Sequence, residues 1–466
     1  MFSVKIITYD KEITKSYNEP VLASKVLSEA ELYMPKPCGG RGVCGKCRII
    51  LNGETVLACK TYIDEDSLIQ YNTDNNLVQG ITAGVFPEFN INPLIENGYG
   101  AAIDIGTTTV AGYIYKFPEC EIEKSICVPN PQAEFGADVI SRIESYKSGR
   151  GKDLQDAVSR AIKEITDGYK IDKYIISANT TMQYLLVGKN PESLGIAPYV
   201  ADELFGKWYE NTYIARSQSA YVGADVVSGV LSSGMYEKKR ALLIDIGTNG
   251  EMVLTKDGKM ICCSTAAGPC FEGAGISCGS QAIDGAINSV FLENGEIKYT
   301  TIGNKKPTGI CGTGLIDAIA CLLKAGIIDE TGYMEDDYYF NDSDVYISLE
   351  DIRKFQLAKS AIRSGIDTLM DYTKITAGDI DNFYIAGGFG SFLNIESAVL
   401  VGLIPKELKD KAVSIGNGAG MGASMMLLNK EFIGLSERIA DSMETVMLSD
   451  SSYFMDKYIE NMMFGV

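Results

Sequence analysis

Apolar and polar positions alternate near the start of the chain and gather into longer apolar runs further on. Phe2-Ser-Val-Lys-Ile-Ile-Thr-Tyr9 and Ile13-Thr-Lys-Ser-Tyr17 are β-rich runs parted by Asp10 and Lys11, which predicts a hairpin. Val21, Leu22, Val26, Leu27 and Leu32 then recur at helical spacing, so a helix is expected from Val21 to Leu32. Arg48–Leu51, the turn Asn52-Gly53 and Val56–Cys59 predict a second hairpin. Residues 1–79 are expected to form a first unit.

Residues 80–98 carry Gly80, Gly84, Pro87, Pro93 and Gly98 with little periodicity. They are expected to be a linker, reaching at most roughly 60 Å at about 3.3 Å per residue. From Tyr99 onward, short apolar runs end in Asp-Ile-Gly-Thr and lead into longer amphipathic segments, the order of an α/β architecture. Ala102-Ile-Asp-Ile-Gly-Thr107 recurs as Leu243-Ile-Asp-Ile-Gly-Thr248, and Gly136-Ala-Asp-Val-Ile-Ser141 as Gly223-Ala-Asp-Val-Val-Ser228. Two copies of one loop predict two similar subdomains facing across a cleft, 99–238 and 239–466.

Composition narrows the function. The 466 residues are too many for one ordinary domain, and an apolar fraction of 46% fits a full core. Forty-two basic against 61 acidic residues leave a formal charge of −19, which argues against a nucleic-acid or anionic-membrane partner. With no signal-like segment and no apolar run of about 18 residues, a cytoplasmic protein is expected. Histidine is absent, so metal sites must use Cys or carboxylate, and a cluster needing two His is excluded.

Twelve cysteines without a secretory signal point to ligands or buried thiols rather than disulfides. Cys38, Cys44, Cys47 and Cys59 are spaced C-x5-C-x2-C-x11-C, and four thiolates hold zinc or an iron–sulfur cluster. Zinc ribbons favour paired C-x2-C knuckles, whereas three ligands here share one loop with Gly39, Gly40, Gly42 and Gly45. Such glycines let the backbone wrap closely and aim N–H groups at sulfur. The loop resembles that of plant- or adrenodoxin-type [2Fe–2S] proteins, and the order strand–strand–helix–loop–strands is that of a small β-grasp ferredoxin. Cys262, Cys263, Cys270 and Cys278 could form a second cluster, but buried thiols explain them more simply. Cys120, Cys127, Cys311 and Cys321 are expected to pack.

In the first Asp-Ile-Gly-Thr loop, Gly106 lets backbone approach a phosphate, while Thr107, Thr108 and Thr109 offer N–H and O–H donors. Asp104 is placed to hold Mg2+ through water. Asp245, Gly247, Thr248, Asn249 and Gly250 supply the same parts from the other copy. The strand Phe383–Ala386 ending in Gly387 and Gly388 fits an adenosine laid on backbone, with a helix expected from about Ser391. Gly312 and Gly314 open an amphipathic segment, Leu315–Leu323, and suit either an anion or close helix packing. Asp138 is a candidate to orient the attacking water or to cap a helix, and Asp225 has the same two roles open. Arg142 could meet phosphate, although a solvated ion pair is the simpler expectation.

In this order the motifs resemble the acetate and sugar kinase/Hsp70/actin superfamily over residues 99–466. Together with the cysteine loop, the whole chain resembles ATP-dependent reductive activators of corrinoid proteins. Asn130-Pro-Gln, Phe135–Arg142, Asn179-Thr-Thr-Met182, Thr265-Ala-Ala-Gly-Pro269 and Phe271-Glu-Gly-Ala274 are similar to segments of that family. Gln183 stands where a His is expected and Cys270 where a small apolar residue is expected. The family also implies a sizeable middle domain, for which only 80–98 is available between the two units.

The resemblance implies one-electron reduction of a Co(II) corrinoid to Co(I), with a [2Fe–2S] cluster, ATP and Mg2+ as cofactors. A corrinoid protein, either a methyltransferase subunit or a corrinoid iron–sulfur protein, is the implied partner, alongside a low-potential electron donor and a second copy in a homodimer. Co(II)/Co(I) couples lie below ordinary [2Fe–2S] potentials, so ATP binding or hydrolysis must favour a conformation that alters them. Rival readings are a small-molecule kinase with a fused redox domain, a 2-hydroxyacyl-CoA dehydratase activator, and a module in which ATP only gates docking.

Overall fold

The computed structural model describes residues 1–7, 12–30, 32, 47–70, 84, 86–390 and 392–465. The first unit is a five-stranded sheet with strands β1 (Phe2–Ile7), β2 (Glu12–Tyr17), β3 (Arg48–Leu51), β4 (Glu54–Leu57) and β5 (Ser67–Gln70), ordered β2-β1-β5-β3-β4. β1 runs antiparallel to β2 and parallel to β5. Val4, Ile6, Ile49 and Ile69 are buried against helix α1 (Ala23–Glu29), which contributes Val26 and Leu27. The helix is shorter than the expected span from Val21 to Leu32, because Val21 and Leu22 instead pair with Tyr62 and Ile63 as extended chain.

Two six-stranded sheets follow. In the first, β6 (Gly98–Ile105), β7 (Thr109–Phe117), β8 (Glu121–Pro129), β9 (Ile171–Ala178), β10 (Lys207–Tyr209) and β11 (Thr212–Ile214) lie in the order β8-β7-β6-β9-β11-β10. β6 is antiparallel to β7 and parallel to β9, and its run Ala101–Ile103 is completely buried, as a strand covered on both faces must be. The associated helices are α2 (Val139–Ser145), α3 (Gly151–Ile165), α4 (Thr180–Val187) and α5 (Ala224–Ser233).

The second large sheet repeats this plan with β12 (Arg240–Ile246), β13 (Gly250–Lys256), β14 (Lys259–Thr265), β15 (Asn382–Ala386), β16 (Ala412–Gly416) and β17 (Met443–Thr445), in the order β16-β15-β12-β13-β14-β17. Its helices are α6 (Gly312–Lys324), α7 (Leu349–Thr373), α8 (Gly387–Gly390), α9 (Ile395–Leu400), α10 (Gly418–Leu428), α11 (Glu431–Ser442) and α12 (Ser452–Glu460). α6, expected to be amphipathic, is buried from Gly312 to Leu322. In place of one helix starting near Ser391, α8 ends at Gly390 and α9 begins at Ile395; Ser391 itself lies outside the described residues.

α10 leaves the second sheet and packs on β6, β9 and α5 of the first, so chain order and spatial order part company near the C-terminus. One continuous core joins Ala102 and Tyr113 of the first sheet, Val227 and Val230 of α5, Leu243 and Val253 of the second, and Met425 and Met426 of α10. The helices cross at small residues. A Cβ on Gly422 would lie 2.3 Å from the Ser228 carbonyl oxygen, and one on Gly418 3.1 Å from the Gly229 Cα.

The stretch expected to be a free linker is folded onto this crossing. Asn92 N–H donates to the Leu428 carbonyl at 3.0 Å, Leu94 N–H to Leu427 at 3.0 Å, and Lys430 N–H to Asn92 at 3.0 Å. Phe86, Phe89, Leu94 and Ile95 join the core beside them. The described residues of 80–98 therefore form a strap along α10, because four apolar side chains gain more from burial than from a solvated tether.

Cys262, Cys263 and Cys270 are buried, as expected of packing thiols, and do not converge on a second cluster with Cys278. Cys262 and Cys263 are adjacent on β14 and enter two different cores, as alternation along a strand requires. Burial raises the thiol pKa of Cys262 to about 11 and that of Cys270 to about 12, so both are inert packing groups.

Substituting Gly422→Ala is expected to cost about 1–3 kcal/mol by overpacking the α5–α10 crossing. A lowered denaturant midpoint checks this; an unchanged midpoint would mean the helices have slack there.

Candidate active site

Both Asp-Ile-Gly-Thr segments are strand-to-turn corners, the second closed one residue tighter than the first. Asp104 is the penultimate residue of β6, and Gly106 N–H closes the turn onto the Thr109 carbonyl at 2.9 Å. Asp245 is the penultimate residue of β12, and Gly247 N–H closes its turn onto Asn249 at 2.9 Å. Gly106, Thr107 and Thr108 thus form the turn that Thr109 closes, and Gly247, Thr248 and Asn249 the one that Gly250 follows. Gly387 begins α8 at the end of β15 with φ +86°, where a Cβ would sit 2.7 Å from Asp245 Oδ1. Gly388 beside it is exposed.

A residue given no role by its sequence ties the two corners together. Glu272 Oε2 accepts from Thr108 Oγ1 at 3.0 Å and from Thr248 Oγ1 at 3.0 Å. One carboxylate oxygen thereby bridges the hydroxyls of both corners across the cleft. Glu272 ends a short 3-10 turn, Pro269–Glu272, that mirrors Pro131–Glu134 after the first corner. The shared Pro-x-x-Glu is the signal from which it could have been found.

Asn417 was also missed. It follows β16, caps α10 by accepting from Gly420 N–H at 2.7 Å, and donates through Nδ2 to Asp104 Oδ2 at 2.9 Å. Asn130 Nδ2 donates to the Gly106 carbonyl at 2.7 Å, and Asn179 Nδ2 to Thr107 Oγ1 at 3.3 Å. Arg142 corrects the solvated ion-pair expectation: it is fully buried and donates to the Thr107 carbonyl at 2.5 Å and the Gly136 carbonyl at 3.0 Å. It braces the first corner from behind.

The remaining candidates fall in different places. Asp138 caps α2, its Oδ1 accepting from Ser141 N–H at 2.7 Å in a reciprocal capping box. Asp225 does not cap α5, which Gly223 leads without a side-chain bond; its carboxylate faces Asp104 and Asp245 instead. Gly312 and Gly314 are buried, and a Cβ on them would lie 1.9 Å from the Phe271 carbonyl oxygen and 2.2 Å from that of Ile287. Close packing alone requires glycine at both. Gln183 is buried, donating to the Ala215 carbonyl and accepting from Ser217 Oγ, each at 2.8 Å.

Like charges crowd the cleft. Burial raises Asp104 to a pKa of about 7, with Asp225 adding to the shift and the Asn417 bond opposing it. Burial, Asp225 and Glu272 raise Asp245 to about 7, and burial raises Asp225 to about 6. Glu251, opposite Asp245 in the sheet, is also pushed up, first by burial and then by Asp225 and Asp245. All are half-buried, so solvent screens part of this repulsion. A divalent cation is the group that such a set of carboxylates fits. Among the described residues no three Cys, Asp or Glu side chains close round one point.

At the other end of the chain, Cys47 precedes β3 and Cys59 follows β4, and Ala58 N–H donates to the Cys47 carbonyl at 2.8 Å. The hairpin's open end thus brings two of the four expected ligands together; both are buried and neither is in a disulfide. Cys38 and Cys44 lie outside the described residues.

Comparison with known proteins decides the family. Residues 239–465 match the family described as the C-terminal domain of RACo, the ASKHA domain, and residues 99–238 match the RACo middle region. The corrinoid activation enzyme RamQ of Eubacterium limosum is 34% identical over 420 residues, 79% of this chain and 70% of the relative. The chain belongs to the RACo family. A [Co(II) methylated amine-specific corrinoid protein] reductase of Methanosarcina barkeri is 28% identical over 78% of this chain and 76% of its own. A solved structure of a reductive activator for corrinoid, iron–sulfur protein superposes with a TM-score of 0.71 at 27% identity, covering 100% of this chain and 98% of that one. The match to the RACo middle region also corrects the expectation of a missing middle domain, since that region is residues 99–238.

A raised carboxylate pKa stabilises the fold below the ordinary carboxylate range and loses that contribution as pH rises toward 7. Asp225→Asn removes one repelling charge. Without nucleotide it is expected to unfold at higher denaturant than the wild type at pH 7.5, with the gap narrowing at pH 5. A gap that widens on acidification would contradict the charge crowding.

Proposed function

We propose that this chain uses ATP to drive the reductive activation of a corrinoid protein, returning its Co(II) to Co(I) by one electron. The observation that carries this reading is the Glu272 bridge between two Asp-Ile-Gly-Thr corners in a chain of the RACo family. An energised electron transfer needs an element with two positions, and a cleft latched by one carboxylate is such an element. The corrinoid cobalt is the substrate, and the electron comes from a low-potential donor.

In this reading the triphosphate meets the N–H and O–H groups of Gly106, Thr107, Thr108 and Thr109 on one side and of Gly247, Thr248, Asn249 and Gly250 on the other. Asp104 and Asp245 hold Mg2+ through water, Gly387 and Gly388 receive the adenosine, and Asp225 and Asp138 are candidates to orient the attacking water. Entering phosphate competes with Glu272 for the Thr108 and Thr248 hydroxyls. Displacing that carboxylate frees the two corners to move with respect to each other, which makes nucleotide binding a conformational signal.

Residues 1–79 are proposed as a β-grasp ferredoxin domain, with Cys38, Cys44, Cys47 and Cys59 as ligands of a [2Fe–2S] cluster. That cluster supplies one-electron chemistry; the chain provides a buried hairpin end for Cys47 and Cys59. The two halves 99–238 and 239–466 are proposed as ATPase subdomains, and the working assembly as a homodimer. A phosphoryl-transfer kinase is disfavoured, because the relatives named above act on corrinoid proteins.

Under anaerobic conditions, the reduced protein with Mg-ATP and a Co(II) corrinoid protein is expected to give the visible spectrum of Co(I). Asp245→Asn should slow this by about two orders of magnitude. No Co(I) with or without ATP, across several corrinoid proteins, would overturn the reading. Cys59→Ser is expected to lose the visible absorbance of a [2Fe–2S] cluster; unchanged absorbance would remove Cys59 from the ligand set.

A further inference from the structure

The strap and the cleft meet at two consecutive residues. Gly416, the last residue of β16, forms an isolated antiparallel bridge with Gly84, which lies on the segment joining the first unit to β6. The next residue, Asn417, is the one that holds Asp104 at 2.9 Å and caps α10 at 2.7 Å. The approach at Gly84 is close: a Cβ there would lie 2.2 Å from Met421 Cγ of α10 and 3.2 Å from the Ile415 carbonyl oxygen.

The same segment also grips the far end of α10. Asn429 Nδ2 donates to the Asn90 carbonyl at 2.8 Å, and Asn92 accepts from Lys430 N–H at 3.0 Å. Phe89 packs edge-on against Phe432 of α11 with ring centres 5.1 Å apart. α10 is therefore held at both ends by the strap, while its buried body packs on β6, the strand that carries Asp104.

We propose that Asn417 is a positioning residue for the nucleotide reaction and that the strap, through Gly84 and Gly416, sets its position. A shift of the cleft that moves Asp104 or Asn417 then moves the strap, and a pull on the strap from the first unit changes how the cleft holds nucleotide. The coupling is reciprocal, as any linkage between two sites must be. The inference rests on the reading of the cleft as a Mg-ATP site and adds the route by which that site addresses the first unit.

Three variants of the full chain test it. Asn417→Ser keeps a good cap for α10 but is too short to reach Asp104. Gly84→Ala forces the strap away from Met421 and touches nothing in the cleft. Phe89→Ala loosens the strap elsewhere and serves if Gly84→Ala does not fold. Steady-state ATP hydrolysis and Mg-ATP binding are measured for each single variant and for the doubles with Asn417→Ser.

Asn417→Ser is expected to lower kcat about tenfold with little change in KM, the scale of one charge-assisted hydrogen bond. Either strap variant should lower kcat in the same direction, by about threefold. The double variants should be no slower than Asn417→Ser alone, since both changes act through one contact. Strictly multiplicative effects, or strap variants with unaltered kcat and KM despite faster amide exchange over 86–95, would overturn the inference. A wild type that binds no Mg-ATP would sink the cleft reading and this inference together; intact binding with multiplicative effects would sink this one alone.

Discussion

A single carboxylate oxygen, Glu272 Oε2, takes a hydrogen bond from Thr108 and another from Thr248. Those threonines belong to corners built by separate sheets, so the bond pair fixes how the two halves of the α/β body face each other. The core beneath constrains the same relation. α5 and α10 cross at Gly418 and Gly422 so closely that a methyl group at Gly422 would meet the backbone of Ser228. A tight helix crossing lies below the cleft and a polar latch above it. The latch is made of hydroxyl groups that phosphate also seeks, and in the function proposed above this is what would couple the cleft to nucleotide.

The electrostatics point the same way. Burial and neighbouring carboxylates push Asp104, Asp245 and Glu251 toward the neutral form, and burial does the same to Asp225. The arrangement costs stability in the nucleotide-free protein. Sites kept at such expense are usually functional. The buried Arg142 donates to the backbone of Thr107 and Gly136, which shapes the first corner, and its charge opposes the rise that burial causes in the Glu272 pKa.

Local chemistry was legible in the sequence where it is carried by consecutive residues. An apolar strand, an acid and a glycine turn announce a corner, and two copies of Asp-Ile-Gly-Thr announced two facing halves. Tertiary partners were not legible. Asn417 and Asp104 are 313 residues apart, and nothing in Asn-Gly-Ala-Gly states which carboxylate it will meet. Arg142 was misjudged because a lone arginine is usually solvated, whereas here two unpaired carbonyls demanded a buried donor. The strap was read as a linker because Phe86, Phe89, Leu94 and Ile95 follow no helical or strand period; they pack as irregular chain, fitted side chain by side chain to α10 and its neighbours. Gly312 and Gly314 show the converse limit, since a glycine pair before a helix reads alike whether it serves an anion or a close carbonyl.

The central claim is that the two corners act as one latch through Glu272. Amide hydrogen exchange over 104–109 and 247–251, measured with and without Mg-ATP in the wild type and in Glu272→Ala, tests it most directly. The account predicts that Mg-ATP changes exchange at both corners together in the wild type. In Glu272→Ala without nucleotide, both corners should already exchange faster. A response confined to one corner, or a Glu272→Ala variant whose corners exchange as in the wild type, would contradict it.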